Sequence, residues 1–135
     1  MGAIKITLET LYDILRNEKK REDLQRVDEP FFADVIAYLQ EKRSLLEEKK
    51  IDSSIFASGE RDKLEYELRS IRRILKELYE KREKKILDIA LNKSRTGSDI
   101  IDTSAMLKEE KELYNQALQV MDSFRVGILY QLFEA

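Results

Sequence analysis

The most constraining feature of this sequence is an uninterrupted helical stripe between Leu64 and Leu91. Its apolar residues recur at intervals of three and four, which places them on one side of a single helix. Because neither Gly nor Pro interrupts the pattern, we expect a helix from about Glu60 to Asn92, roughly 45–50 Å long. One helix cannot bury such a stripe alone, so other helices must pack along it.

The composition favours a single all-α domain. The 135 residues are 42% hydrophobic and 39% charged, with only 4 Gly and 1 Pro, as expected for helices with charged outer faces. We therefore predict that residues 1–135 form one antiparallel helical bundle of about four main helices, with two long helices in the C-terminal half. The net charge of −2 provides no general attraction to nucleic acid or to anionic lipid.

The residue types present argue against catalysis. The chain contains neither Cys nor His, so it lacks a thiolate nucleophile, the commonest transition-metal ligand and the usual neutral-pH base. Its adjacent carboxylates, Glu47 with Glu48 and Glu109 with Glu110, point about 100° apart on a helix and do not converge. We predict no catalytic residues, no metal site and no cofactor. Since the sequence shows neither a signal peptide nor a membrane-spanning apolar run, we expect a cytoplasmic protein.

The helices on the N-terminal side have recognisable start signals. Thr7 is a suitable N-cap for a first helix that runs from Leu8 to about Lys19. The segment VDEPFF starts a second helix, with Asp28 as N-cap and Pro30 in the first turn, and this helix is expected to run to about residue 50. Residues 51–59 then form the turn into the central helix, with Ser58 as its cap.

The C-terminal part begins with a polar loop, residues 92–104, and a cap supplied by Asp102, Thr103 or Ser104. The last helix is expected from about residue 105, with an apolar heptad pattern in its first half. Its second half is apolar on more than one face, which predicts a partner surface. We identify five candidate interface residues, namely Phe124, Ile128, Leu129, Leu132 and Phe133.

Basic residues on the central helix form a second candidate contact surface. The residues concerned are Arg72, Arg73, Lys76, Arg82 and Lys85. They fit three interpretations: a solvated face with i,i+4 ion pairs, a docking surface for an acidic partner helix, or a phosphate contact. Arg82 differs from the others because it interrupts the apolar stripe between Leu78 and Ile86. Its side chain either reaches the surface or forms a buried or interfacial ion pair that sets the helix register.

Three motifs resemble a known family when taken in order. They are EPFFADVIAYL, then LYEKREKKILDIAL with Arg82, Lys85 and Ile86 at its centre, and, after a polar loop, AMLKEEKELYNQAL. In this order they resemble the helical A domain of GINS replication-complex subunits, specifically the archaeal subunit in which the A domain precedes a small β-rich B domain. The resemblance covers roughly residues 8–132. The family's B domain would begin where this sequence stops, so we expect it to be absent here.

The resemblance implies a non-catalytic scaffold subunit. Its partners would be sister GINS subunits in a tetramer, and the assembly would link the MCM replicative helicase to a RecJ-like or equivalent protein. Two alternatives remain: a generic helical adaptor, and a nucleic-acid-binding module that uses the basic face of the central helix, with nucleic acid not the primary partner. No membrane partner is expected.

Overall fold

A computed structural model describes residues 5–135, which fold into a bundle of four helices built on one long central helix. The helices are α1 (Leu8–Lys20), α2 (Phe31–Ile51), α3 (Ile55–Thr96) and α4 (Lys108–Phe124). The last helix continues through a π-helical segment (Arg125–Tyr130) and a final α-helical turn, α5 (Gln131–Glu134). Since residues 5–135 contain no strand, the all-α prediction is confirmed.

The start of α1 is as predicted. The Thr7 hydroxyl accepts a hydrogen bond from the Thr10 N–H at 3.0 Å, and the Thr10 hydroxyl oxygen accepts one from the Thr7 N–H at 2.8 Å. This reciprocal capping box satisfies two backbone donors that the first turn would otherwise leave unpaired.

The start of α2 differs from the prediction. Asp28 is not the N-cap, and Pro30 occupies that position instead of the first turn. The reason is a separate tight turn, in which the Phe31 N–H donates to the Asp28 carbonyl oxygen at 2.9 Å. The helix proper begins only after this turn.

The central helix α3 is longer at both ends than the stripe predicted. Its N-cap is Ser54 and not Ser58, since the Ser54 hydroxyl accepts from the Ala57 N–H at 3.1 Å. The helix has 42 residues and is roughly 60 Å long. It ends at Gly97, whose φ of 64° is a left-handed conformation that Gly adopts easily. The polar segment after residue 92 therefore begins as helix.

The last helix starts later than expected, at residue 108, with Leu107 as N-cap. Asp102 accepts from the Ser104 N–H at 2.9 Å within the connecting loop and does not cap the helix. The cap interaction comes from Glu110, whose carboxylate accepts from the Leu107 N–H at 2.9 Å. A buried carboxylate thus replaces the predicted polar cap.

The helices do not all alternate in direction. Ion pairs join Lys42 to Glu67 and Lys49 to Glu60, both at 2.6 Å, so α2 runs antiparallel to α3 as predicted. The last helix runs parallel to α3, because two pairs of contacting residues from the two helices are the same number of positions apart in the sequence. Arg82 contacts Glu110, and Ser94 contacts Asp122, each pair being 28 residues apart. The antiparallel prediction is therefore wrong for α4.

The reversal of the chain is possible because the loop after α3 is long and extended. Residues 97–107 can span up to about 35 Å, whereas the return from Thr96 to the level of Arg82 requires roughly 20 Å. Met106 and Leu107, at the end of this loop, are almost completely buried. Their burial holds the start of α4 beside the middle of α3.

Two apolar clusters form the core. One joins α1 and α2 to the first half of α3 through Leu11, Phe31 and Ile71, and the other joins α3 to α4 through Ile86, Ala90 and Tyr114. Among residues 5–135, no helix is long and apolar enough to cross a membrane.

Two glycines, one directly after the last residue of α3 and one inside it, provide a paired test of this fold. Replacing Gly97 by Ala should lower the free energy of unfolding by about 1 kcal/mol, because Ala is strained at positive φ. Replacing Gly59, which is helical and has open space around it, by Ala should raise it by about 0.5–1 kcal/mol. Chemical denaturation measures both changes. If both substitutions change the free energy of unfolding in the same direction and by the same amount, α3 does not end at Gly97.

Candidate functional site

The second half of the last helix exposes a large apolar surface. Six large apolar side chains between residues 124 and 133 are 46–73% exposed: Phe124, Val126, Ile128, Tyr130, Leu132 and Phe133. Leu129 is partly buried beside them. We call residues 124–133 the C-terminal apolar surface. All five interface residues identified from the sequence lie on it.

This surface is exposed because α3 ends too early to cover it. With a constant separation of 28 residues, Phe124 lies level with Thr96, the last residue of α3. Beyond that point, Arg125 reaches back to donate from Nε to the Ser94 hydroxyl at 3.0 Å. Within residues 5–135, the backbone of the π-helical segment lies close only to the helical residues directly before and after it, and its contacts with α3 are made by side chains. The C-terminal apolar surface therefore extends beyond the bundle.

A π-helix occupies the middle of this surface. Six residues, Arg125–Tyr130, adopt this wide and uncommon helical form, which includes Gly127. The wider turn shifts the angular positions of the side chains that follow, so apolar groups occupy several faces. Tyr130 and Phe133 pack together with ring centroids 6.4 Å apart. Towards the bundle, Leu91 and Met121 join Phe124 and Leu132 around an apolar groove of about 360 Å³.

A second feature, the buried ionic junction, lies at the centre of the bundle. Arg82 is only 3% exposed and uses every N–H of its guanidinium group. Its Nε and Nη2 donate to the two Glu110 oxygens, both at 2.7 Å, in a bidentate pair. Its Nη1 donates to Glu18 at 2.8 Å and to the Gln25 carbonyl at 2.6 Å, and Nη2 also donates to the Ala105 carbonyl at 3.3 Å.

Glu18 and Lys85 complete the junction. Glu18 is fully buried, and its carboxylate also accepts from the Gln25 backbone N–H at 3.0 Å. Lys85 donates to that carboxylate at 2.7 Å, and to the Glu18 and Asp23 carbonyl oxygens at 2.7 and 2.9 Å. Two cations thus face two anions. Because the positive and negative charges are equal in number and their polar atoms are hydrogen-bonded, the free-energy cost of burying these four charges is offset.

The charges of the junction are stabilised by this geometry. Burial alone would raise the pKa of Glu18, but hydrogen bonds from Lys85, Gln25 and Arg82 lower it below its usual value. Burial opposes the charge of Arg82, yet hydrogen bonds and attraction to Glu110 and Glu18 raise its pKa. Both groups therefore remain ionised at neutral pH.

The structure separates the five basic residues predicted as partner or phosphate contacts. Arg72, Arg73 and Lys76 are exposed on α3, as a contact surface requires. Arg82 is buried in the ionic junction, so its prediction as an external contact is wrong. Lys85 is largely buried and its three N–H groups are satisfied internally, so it is not an external contact either. Of the two possibilities for Arg82, the buried ion pair is the one observed.

Sequence reasoning missed the partners of Arg82, although signals for both were present. Glu18 lies on the same helical face as the buried Leu11, Ile14 and Leu15, where an acidic residue requires a partner. Glu110 lies three residues after Leu107, which is the spacing of a capping box. Neither ion pair can be predicted from these signals alone, because helical periodicity does not reveal which distant cation faces a given carboxylate.

Since the chain contains neither His nor Cys, its acidic side chains are the residues to consider as metal ligands. Residues 5–135 contain no group of three or more acidic side chains placed to hold a metal ion. Glu109 is exposed, whereas the neighbouring Glu110 is bound to Arg82 and to the Leu107 N–H.

Comparisons with known protein families, curated proteins and solved structures find no significant match for this chain. Its function must therefore be argued from the C-terminal apolar surface and the rest of the molecule's exterior.

The ionic junction predicts a specific acid sensitivity. Because the pKa of Glu18 is lowered in the folded state, its stabilising effect is complete above its unfolded pKa, about 4.3, and is lost as pH falls through the folded value. Replacing Glu18 by Gln should lower the free energy of unfolding at pH 7 by about 3–5 kcal/mol, since two buried cations lose a counter-charge. It should also flatten the dependence of stability on pH below about 5.

Urea unfolding of both proteins between pH 3 and pH 7 measures these effects. Replacing Glu22, which is exposed next to the junction, by Gln is the matched control and should change stability by less than about 0.5 kcal/mol. An identical pH profile for the parent protein and the Glu18 variant would show that Glu18 does not account for the acid sensitivity.

Proposed function

We propose that this chain is a non-catalytic assembly subunit that oligomerises through its C-terminal apolar surface. The observation that carries this proposal is the extension of residues 125–134 beyond the end of α3, with apolar side chains on several faces. Contiguous exposed apolar surfaces of this kind are uncommon on monomers and mark interaction sites. Phe124, Tyr130 and Phe133 provide the aromatic groups that are enriched at the centres of such interfaces.

The proposed assembly is a GINS-like DNA replication complex. In such a complex the subunit would join sister subunits in a tetramer and help to link the MCM helicase to a RecJ-like or equivalent partner. This part of the proposal is supported by the order of the three motifs along the chain. Arg82 and Lys85 from the second motif and Glu110 from the third have roles in the ionic junction, so these motif residues have a physical function in folding.

Substitutions in the C-terminal apolar surface test the assembly proposal. Phe124→Asp and Leu132→Asp should each weaken self-association or subunit association by roughly 30-fold or more, because a desolvated carboxylate replaces an apolar anchor. Sedimentation velocity measures the size distribution, and far-UV circular dichroism checks that the helices remain. The matched control is Ile51→Asp, at an apolar residue that is 86% exposed at the far end of the bundle.

If both C-terminal variants retain the oligomeric size of the parent protein, another surface mediates assembly. If the parent protein remains monomeric and soluble at high concentration, both alone and with candidate partner subunits, the assembly proposal is wrong.

Co-expression tests the identity of the assembly. The chain and an archaeal GINS subunit of the complementary type should co-purify as one complex, whose mass light scattering determines. Phe124→Asp should dissociate it. If this chain associates only with itself, the assembly proposal holds and the GINS assignment is wrong.

A further inference from the structure

A second apolar surface lies between α2 and α3. Phe32, Ile36 and Leu39 from α2 face Leu75 and Tyr79 from α3 around a cavity of about 320 Å³. Ile36 is 55% exposed and Tyr79 is 56% exposed. We call these five residues the α2–α3 groove. It lies on a different part of the molecule from the C-terminal apolar surface and shares no residue with it.

The floor of the groove is rigid. Phe31, Val35 and Leu78 beneath it belong to the main core, and Arg82 and Glu110 close its lower end with their charges already paired. The groove is therefore preformed, and an apolar group can enter without breaking an ion pair. Because Ile36 and Tyr79 are more than half exposed at its edge, the groove is accessible from outside between two antiparallel helices, where the apolar side of a third helix can pack.

The rim of the groove is basic. Arg43 follows Ile36 by seven residues and Leu39 by four, so it lies on the same face of α2. Arg72 lies seven residues before Tyr79, and Lys76 lies three before it, on the same side of α3. Arg43 and Arg72 have no ion-pair partner within residues 5–135, whereas Lys76 pairs with Glu80 at 3.7 Å. Glu83, four residues after Tyr79, lies on the same side of α3 and is the acidic residue of this rim.

We infer that the α2–α3 groove binds an acidic amphipathic helix of a partner protein. Apolar side chains of that helix, spaced at i, i+3 or i+4 and i+7, would contact Ile36, Leu75 and Tyr79. Its flanking Asp and Glu side chains would face Arg43, Arg72 and Lys76. Charge complementarity favours this occupant over the last helix of a second copy of this chain. Residues 120–135 of that helix contain only three charged side chains, Asp122, Arg125 and Glu134. Asp122 and Arg125 both contact Ser94, so only Glu134 would be available to face the basic rim.

A displayed peptide library tests the inference without a known partner. Each peptide has apolar residues at i, i+3, i+4 and i+7, and an equal mixture of Glu, Gln and Lys elsewhere. The full chain serves as bait, and counter-selection against the Ile36→Asp variant removes peptides that bind other surfaces. Enrichment of Glu over Lys at the flanking positions is the expected result. Enrichment of Lys, or no peptide that distinguishes the two baits, overturns the inference.

A charge-reversal pair then tests the basic rim with an enriched peptide carrying a fluorophore. Reversing both Arg43 and Arg72 to Glu should weaken binding by roughly tenfold at low salt, and by less at high salt, since the rim pairs are exposed. The matched control reverses Lys63 and Lys81, which are exposed on another face of α3 and change the net charge equally. Its affinity should change by less than about twofold. Equal weakening by both pairs would indicate general attraction and would overturn the groove assignment.

Two further outcomes would also contradict the inference. If Ile36→Asp changes the sedimentation of the chain alone, a second copy occupies the groove. If single-stranded DNA binds the parent protein and displaces the peptide with a steep salt dependence, the basic rim is a nucleic-acid contact.

Discussion

The buried ionic junction is the interaction on which the rest of this structure depends. Arg82 joins α1, the segment after it, the end of the long loop and the start of α4, because each provides one of its acceptors. A buried guanidinium with unpaired donors would be strongly destabilising, so these acceptors must arrive together. The junction therefore determines both where α4 begins and which part of α3 it accompanies.

The position and direction of α4 have a direct consequence for the molecule's exterior. Since α4 starts beside Arg82 and runs parallel to α3, its later residues must pass the end of α3. An antiparallel helix starting near residue 97 would instead have returned along α3 and buried its apolar side. The C-terminal apolar surface is thus a result of topology, and the same residues in a different arrangement would belong to the core.

The two apolar surfaces of the chain differ in ways that suggest different uses. The C-terminal apolar surface extends from the bundle and carries few charges, which suits association with other apolar helices. The α2–α3 groove is concave, lies on the main core and has at its rim two arginines, Arg43 and Arg72, with no ion-pair partner within residues 5–135. A chain with both could contribute to the framework of an assembly while binding a separate helix.

The sequence by itself determined the helical class, the long central helix and the excess of apolar residues near the C-terminus. These properties follow from local periodicity and composition, which act within one helix and need no knowledge of distant contacts. The interruption of the stripe at Arg82 was also visible, although its partners Glu18 and Glu110 were not. Only the tertiary structure decided that Arg82 and Lys85 are internal, that α4 runs parallel to α3, and that Ile36 and Tyr79 border a groove. Each depends on which residues far apart in sequence meet, and helical periodicity contains no information about that.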